Sequence, residues 1–322
     1  MKHNKQIELK CIEAEMADLN DYELKARLEE FLNGYSVRGI EIPAGTFVYR
    51  ARCLMVGFEK EHATNIDKFH MPPAKFASRQ RLNSAGAPVF YCSTAWEPLP
   101  YEVRATAGMS LIISSWKLSR PAMIVALGYS KVSLAMLGAT RDMPAWGIGS
   151  GFSGTSDNTQ REEDFLAELL MKPVTDDDLS HYRLTSALGG ILLGKVRGED
   201  RVLAGLVYPS VSMSGNGDNI AFAPWFANDH LTCSGLQEHK IVSRKGMEIE
   251  TKCIDRSIAI DDKGAISWSG TGGFIIPAGE SVTCTAKVGL ASDGFYMNLK
   301  DGTRGHWEIK SELDGRVLAN LA

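Results

Sequence analysis

RLNSAGAPVFYCSTAWEPLPYE, residues 81–102, is the stretch on which the fold reading turns. Gly86-Ala87-Pro88 marks a turn. Val89-Phe90-Tyr91-Cys92-Ser93 follows as a short run of apolar and aromatic residues, the pattern of a buried strand. From Trp96 to Gly108 the chain reads as helical, opening on Glu97-Pro98 and carrying Glu102 and Arg104. A helix that starts just after a buried strand aims the side chains of its first turns back at the strand end. Glu102 is placed in this way. The other reading of Glu102 is a solvated helix residue paired with Arg104 or another base.

Upstream, Pro43-Ala44-Gly45 is a turn and Thr46–Arg52 reads as a strand. Alternation along that strand turns either Tyr49 or Arg50 inward. An inward arginine needs an anionic partner, because its charge is costly to bury alone. An internal salt bridge or an exposed edge position are the alternatives. Residues 8–33 read as helical, with Ile12, Met16, Leu19, Leu24, Leu28 and Phe31 near one face. Asn20 with Glu23 three residues on forms a capping box that divides this segment in two, and Gly34 ends it.

Downstream, Ser110–Leu118 and Ala122–Leu127 are strand-like, while Ser130–Gly138 fits neither period. Gly147–Thr159 is a Gly/Ser/Asn-rich loop, and Arg161–Met171 is a short amphipathic helix. Asp176-Asp177-Asp178 leads into a longer helix through Leu193. Ala204–Tyr208 is a strand ending at Pro209-Ser210. A serine there presents its hydroxyl to a cleft, or caps the turn that follows. Beyond about residue 236 the turn signals Asp261–Gly264, Pro277–Gly279, Ser292–Gly294 and Lys300–Gly302 indicate an antiparallel unit. Ile258, Ile260, Ile266 and Trp268 alternate as a half-buried hairpin would. These strands either extend the core sheet or form a docking unit of their own.

The 322 residues are 44% apolar and 23% charged, an ordinary globular composition with enough apolar material for a sizeable core. With 35 basic and 39 acidic residues the formal charge is −4, which argues against a general nucleic-acid binder. The six cysteines show no C-x-x-C pair and no zinc-ligand spacing to histidine, so they read as scattered thiols in a reducing compartment. The N-terminal stretch lacks the apolar region of a secretory signal, and no run suits a membrane span. A cytoplasmic location is expected. No G-x-G-x-x-G follows a strand, and there is no P-loop lysine motif, H-E-x-x-H or G-x-S-x-G.

The segment from Arg81 to Glu102 resembles the signature of the RES-domain family. That signature is an Arg–apolar–Asn turn with glycine, a strand ending in Tyr-x-Ser, and a glutamate one or two helical turns later. The Tyr49-Arg50 strand upstream is similar to the family as well. So is the Tyr208-Pro209-Ser210 strand downstream, with Asn219-Ile220-Ala221. The three come in the family's order, and the likeness runs from about residue 45 to 235. The resemblance implies an α+β fold with an ADP-ribosyltransferase-like split β-sheet core around a cleft for NAD+. It implies an NAD+-degrading toxin or effector, a glycohydrolase or phosphorylase, held in check by a helix-turn-helix antitoxin; a homodimer is also plausible from the family.

The family's functional Arg, Tyr, Glu and Ser fall on Arg50, Tyr91, Glu102 and Ser210. Arg81 and Tyr49 match further positions near the cleft, with Asn83 in the same turn as Arg81. NAD+ enters as substrate, and no metal is expected. The chain departs from the family at Gln80, where glycine is usual, and in Trp96, Pro98 and Pro100 before Glu102. An ADP-ribosyltransferase acting on a macromolecule, or a non-catalytic NAD-sensing module, are the alternatives. The expected organisation is an N-terminal helical segment at 1–40, a catalytic core at 41–235 and a β-rich extension at 236–322.

These residue types suit the reaction. Cleaving the nicotinamide–ribose bond leaves positive charge on the ribose, which a carboxylate at Glu102 stabilises. Nicotinamide departs as a neutral ring, so one carboxylate suffices where glycoside hydrolysis uses two. The guanidinium forks of Arg50 and Arg81 match a pyrophosphate. Tyr91 offers a ring for nicotinamide or a hydroxyl for the ribose, and Ser210 a hydroxyl for the carboxamide or a phosphate oxygen.

Overall fold

In the computed structural model, residues 11–16, 18–34, 39–55, 57–141, 157–172, 180–193 and 203–270 are described, with the backbone of five further strands. The strands are β1 (Gly39–Ile42), β2 (Phe47–Leu54), β3 (Phe90–Ser93), β4 (Ser110–Leu118), β5 (Ala122–Ala126), β6 (Gly205–Pro209) and β7 (Asp218–Phe222). They continue with β8 (Leu231–Lys245), β9 (Glu248–Ile260), β10 (Ile266–Trp268), β11 (Phe274–Ile275), β12 (Ser281–Ala291), β13 (Gly294–Asn298), β14 (Trp307–Ser311) and β15 (Val317–Leu321). Helices flank a mixed sheet, so the chain is α+β. Among the described residues no helix is long and apolar enough to cross a membrane.

The main sheet runs β1-β5-β6-β7-β3-β2-β4-β8-β9-β12-β14-β15. Its joints are uneven. β2 pairs with β4 along its whole length, from Phe47↔Lys117 to Leu54↔Ser110. β3 pairs with β7 along its whole length, from Phe90↔Phe222 to Ser93↔Asn219. Between β2 and β3 the register holds a single pair, Tyr49↔Ser93. The two halves of the sheet part immediately beyond that pair.

The side chains follow this division. One face carries a continuous core that spans both halves, including Val48, Phe90, Ile112, Trp116, Ile124, Val207 and Phe222. The other face carries two separate cores. On the β3 half, Val125, Leu206, Tyr208 and Ala221 pack beneath Leu24, Leu28, Leu166, Leu170, Leu184 and Leu188, the inner residues of helices Asp21–Phe31, Asp157–Met171 and Ser180–Leu192. On the β2 half, Leu111, Ile113, Ile241 and Ile249 pack beneath Leu99, Tyr101 and Met213, with Tyr49 and Ala51 alongside. A gap therefore lies between these two cores, over the split.

Local sequence accounts for the elements around the gap. Asn20 caps helix Asp21–Phe31 with the expected capping box: its side chain accepts from Tyr22 N and Glu23 N, both at 3.0 Å, and Glu23 Oε2 accepts from Asn20 N at 2.8 Å. Helix Ser180–Leu192 meets the Arg81 turn through Gly189, where a Cβ would lie 2.5 Å from the Leu82 carbonyl oxygen. Only glycine permits that approach. Ser130–Gly138, which matches neither period in sequence, holds a helix, Lys131–Leu137, capped by the Ser130 side chain and closed by Gly138 at φ 77°.

The helix expected over Trp96–Gly108 is shorter, Leu99–Glu102. Pro98 and Pro100 fit only a first turn. The segment then closes at Arg104, whose φ is 51°, as Ala105 N donates to Pro100 O at 2.8 Å. β8 runs straight through the boundary expected at residue 235 and pairs with β4 from Leu118↔Leu231 to Ser110↔Lys240. The strands beyond it thus extend the core sheet. The expected hairpin is β9–β10, with Ile266 opposite Ile260. The Asp261–Gly264 turn joins them through Gly264 N to Asp261 O at 2.9 Å. The glycine-rich residues 147–156, the acidic run 176–178 and the turn signals at 277–279, 292–293 and 300–302 lie outside the described residues.

Trp96 ties the segment before Glu102 to β8 by stacking on His239, with ring centroids 5.8 Å apart. His239 is buried, with ring nitrogens 3.0 Å from Thr251 Oγ1 and 3.1 Å from Gln237 Oε1. Burial pushes its pKa down to about 4. The unfolded chain, with an ordinary histidine near 6.5, binds this proton more readily than the folded chain, so stability rises with pH between the two values. His239 accordingly removes on the order of 3 kcal/mol as pH falls from about 6.5 to 4. His239→Gln should flatten that part of the stability profile in urea titrations across the window. A profile parallel to that of the unsubstituted chain would contradict it.

Candidate functional site

The split opens into a cavity of about 560 Å³, within the roughly 300–1,000 Å³ range of small-molecule sites. Its lining draws on both flanking cores: Tyr91, Tyr208 and Val211 from one side, Ala51, Leu99 and Val103 from the other. Arg50, Arg79, Arg81, Arg104 and Glu102 supply the charged walls. A smaller hollow of about 190 Å³ shares Arg50, Ser78, Gln80 and Tyr91 with the first, and includes Asn83.

Arg50 sits where β2 leaves β3. Its Nη1 donates to the Tyr91 carbonyl oxygen at 2.7 Å, and its guanidinium lies 5.4 Å from the centroid of the Phe90 ring. The guanidinium thus serves a β3 carbonyl where the β2–β3 ladder has stopped. Among the described residues no carboxylate pairs with Arg50. Burial lowers its pKa, the nearby Cys92 thiol opposes this, and Arg52 adds to it. A half-buried cation without a counter-ion on a cavity wall is a site that favours an anion.

Glu102 is the last residue of its short helix and lines the cavity. The Ser210 hydroxyl donates to its Oε1, and Asn219 Nδ2 donates to the same oxygen at 2.8 Å. Oε2 makes no hydrogen bond among the described residues. Two donors on one oxygen fix the carboxylate and leave the other oxygen to accept. Ser210 is fully buried behind Glu102 and also accepts from Met213 N at 3.2 Å, so it is both a cap and a strut. It holds the carboxylate and does not itself line the cavity.

A buried network holds Ser210 and Asn219 in turn. Arg141 donates to Gly215 O at 2.7 Å, to Gly217 O at 3.0 Å and to both carboxylate oxygens of Asp218. Tyr129 Oη donates to Asp218 Oδ1 at 3.0 Å, and Ser93 Oγ to the Asp218 carbonyl at 2.6 Å. Ser210 N donates to Gly217 O at 2.7 Å, closing the turn between β6 and β7. A Cβ at Gly217 would lie 2.7 Å from Pro98 Cγ, so this turn packs directly against the start of the Glu102 helix.

The remaining expected residues are placed differently. Tyr91 lines the cavity with its ring, but its hydroxyl is committed: it accepts from Leu82 N at 3.0 Å and donates to Asn83 Oδ1 at 2.9 Å. Burial pushes its pKa up. Asn83 is the anchor of the turn, its amide donating to Ser78 O at 2.8 Å and Ser84 O at 3.0 Å. Arg81 lines the cavity and caps the end of helix Asp157–Met171, donating to Leu170 O and, at 3.0 Å, to Lys172 O. Tyr49 is not brought to the cavity; it packs on the Leu99–Tyr101 core, where burial and the Glu97 charge raise its pKa.

Arg79, Arg104, Tyr208 and Asn219 join the site without having been singled out for a role. The register shows why two of them belong. Tyr91 pairs with Ala221, and Tyr208 pairs with Asn219. Alternation then puts Tyr91, Asn219 and Tyr208 on one face of β3, β7 and β6, the floor of the cavity. Among the described residues no group of three or more His, Cys, Asp or Glu is arranged to hold a metal ion. No family model matches the chain, and a search of curated proteins finds no match.

The Tyr91 hydroxyl bond pair is testable apart from any activity. Tyr91→Phe leaves Leu82 N and Asn83 Oδ1 without their partner, which costs about 1–3 kcal/mol. A lowered urea midpoint with unchanged slope is expected, and an unchanged midpoint would contradict the assignment.

Proposed function

We propose that this chain cleaves the nicotinamide–ribose bond of NAD+, acting as a toxin or effector, on an ADP-ribosyltransferase-like split-sheet core. The observation that carries the reading is the pairing of two unlike walls in one cavity: the Glu102 carboxylate, fixed by Ser210 and Asn219, and the Arg50 guanidinium, which has no carboxylate partner among the described residues. A positively charged reacting centre and an anionic pyrophosphate in one molecule match those walls. The sequence likeness to the RES-domain family at Arg50, Tyr91, Glu102 and Ser210 supports the same reading.

In the proposed reaction the bond from C1′ of the ribose to the ring nitrogen breaks, and its electron pair neutralises the nicotinamide ring. Positive charge grows on the ribose and is stabilised by Glu102, whose position is set before substrate arrives. Arg50 holds the pyrophosphate by charge-assisted hydrogen bonds, with Arg81 and Arg104 on the same walls. The Tyr91 ring supplies a surface for packing. Water then adds to C1′ and releases its proton to solvent, giving ADP-ribose. Inorganic phosphate in the place of water gives the phosphorylated sugar. Ser210 acts through Glu102 in this scheme rather than on nicotinamide.

Product analysis by mass spectrometry tests this. The purified chain incubated with NAD+ should release nicotinamide, with ADP-ribose or its phosphate as the second product according to whether phosphate is present. Glu102→Gln keeps an oxygen for Ser210 and Asn219 but removes the charge, and should lower turnover by about a hundredfold or more with the melting temperature retained. Label from NAD+ appearing on a protein or nucleic acid would instead make the chain a transferase. Tight NAD+ binding without product would make it a binding module. Turnover unchanged in Glu102→Gln would remove the carboxylate from its role.

A further inference from the structure

We infer that the Tyr208 hydroxyl is a substrate-contacting hydrogen-bond donor of this cavity, holding a ribose oxygen beside the Glu102 carboxylate. The inference rests on the NAD+ reading above and adds a catalytic residue to it. Tyr208 is 7% exposed, yet it lines the cavity. Its hydroxyl makes no hydrogen bond among the described residues. The oxygen is not sealed from solvent but opens into the cavity, where a bound molecule can take its hydrogen bond. Among the neighbouring tyrosines, Tyr91 has Leu82 N and Asn83 and Tyr129 has Asp218, while Tyr182, half-buried on the same cavity, meets the Arg81 guanidinium 5.8 Å from its ring centroid. Tyr208 faces the cavity with its hydrogen-bonding capacity unspent.

Its place on the sheet fits the task. Tyr208 on β6 stands directly opposite Asn219 on β7, and Asn219 holds Glu102. The groups whose charges act on Tyr208 are Tyr91, Glu102, Arg81 and Cys92. Burial raises its pKa most, Tyr91 and Glu102 raise it further, and Arg81 opposes them. The phenol therefore keeps its proton and serves as a hydrogen-bond donor. Glu102 offers only acceptor oxygens, so a sugar hydroxyl set between the two has an acceptor on one side and a donor on the other. That pairing orients the ring whose C1′–N bond is to break.

The test compares Tyr208→Phe with the unsubstituted chain and with Glu102→Gln in NAD+ turnover, alongside thermal unfolding. Phenylalanine keeps the packing and removes a hydroxyl that has no partner among the described residues. The expected result is a kcat/KM lowered about tenfold or more with the melting temperature unchanged. A kcat/KM within about twofold of the unsubstituted chain, while Glu102→Gln is inactive, overturns the inference and leaves the NAD+ reading standing. A lowered melting temperature in Tyr208→Phe also overturns it, because the hydroxyl then serves the fold. An unsubstituted chain that neither binds nor cleaves NAD+ overturns both.

Discussion

A missing stretch of β-ladder is the constraint on which the site depends. β2 and β3 are neighbours in the sheet, yet only Tyr49 and Ser93 pair across them. Each strand satisfies its other edge fully, β2 on β4 and β3 on β7. Backbone polar groups freed by the split must find other partners or meet solvent. The Tyr91 carbonyl finds Arg50. The residue that mends the backbone is thus also the cation presented to the cavity. The apolar cores on that face stop short of each other for the same reason, and the space between them is the cavity.

The second element is preorganisation of the acid. Glu102 lies on a helix of one turn, which by itself would hold a side chain loosely. Ser210 and Asn219 bind one of its oxygens, and the Arg141–Asp218–Tyr129 network fixes the turn that carries both. A carboxylate held by buried donors pays little reorganisation when charge develops beside it. The chain's overall charge is −4, while the cavity wall sets four arginines against one glutamate. Net charge therefore says little about the ligand, and the local pattern says much.

Much of this was legible in the chain before its structure. The Asn20 capping box, the β2 and β3 strands and the Ile260–Ile266 hairpin follow from local rules of capping, alternation and turns. The helix read over Trp96–Gly108 stops at Glu102 because the backbone turns left-handed at Arg104, which helical spacing does not reveal. Lys131–Leu137 is too short to show a period. The pairing of β8 along all of β4, across residue 235, is a long-range property that local sequence does not carry. Arg50, Arg81, Tyr91 and Glu102 do share one cavity, but that the Tyr91 hydroxyl is committed to the protein while Tyr208 lines the cavity beside it was not readable. It depends on which hydroxyl has a partner, and the Tyr91 partners come from the Leu82–Asn83 turn that folds over β3.

The most direct measurement is a crystal structure of the Glu102→Gln chain soaked with NAD+. The account predicts the dinucleotide in the cavity at the split, with its pyrophosphate against Arg50 and C1′ of the nicotinamide ribose beside residue 102. A dinucleotide bound elsewhere on the molecule, or an empty cavity at saturating NAD+, would contradict it.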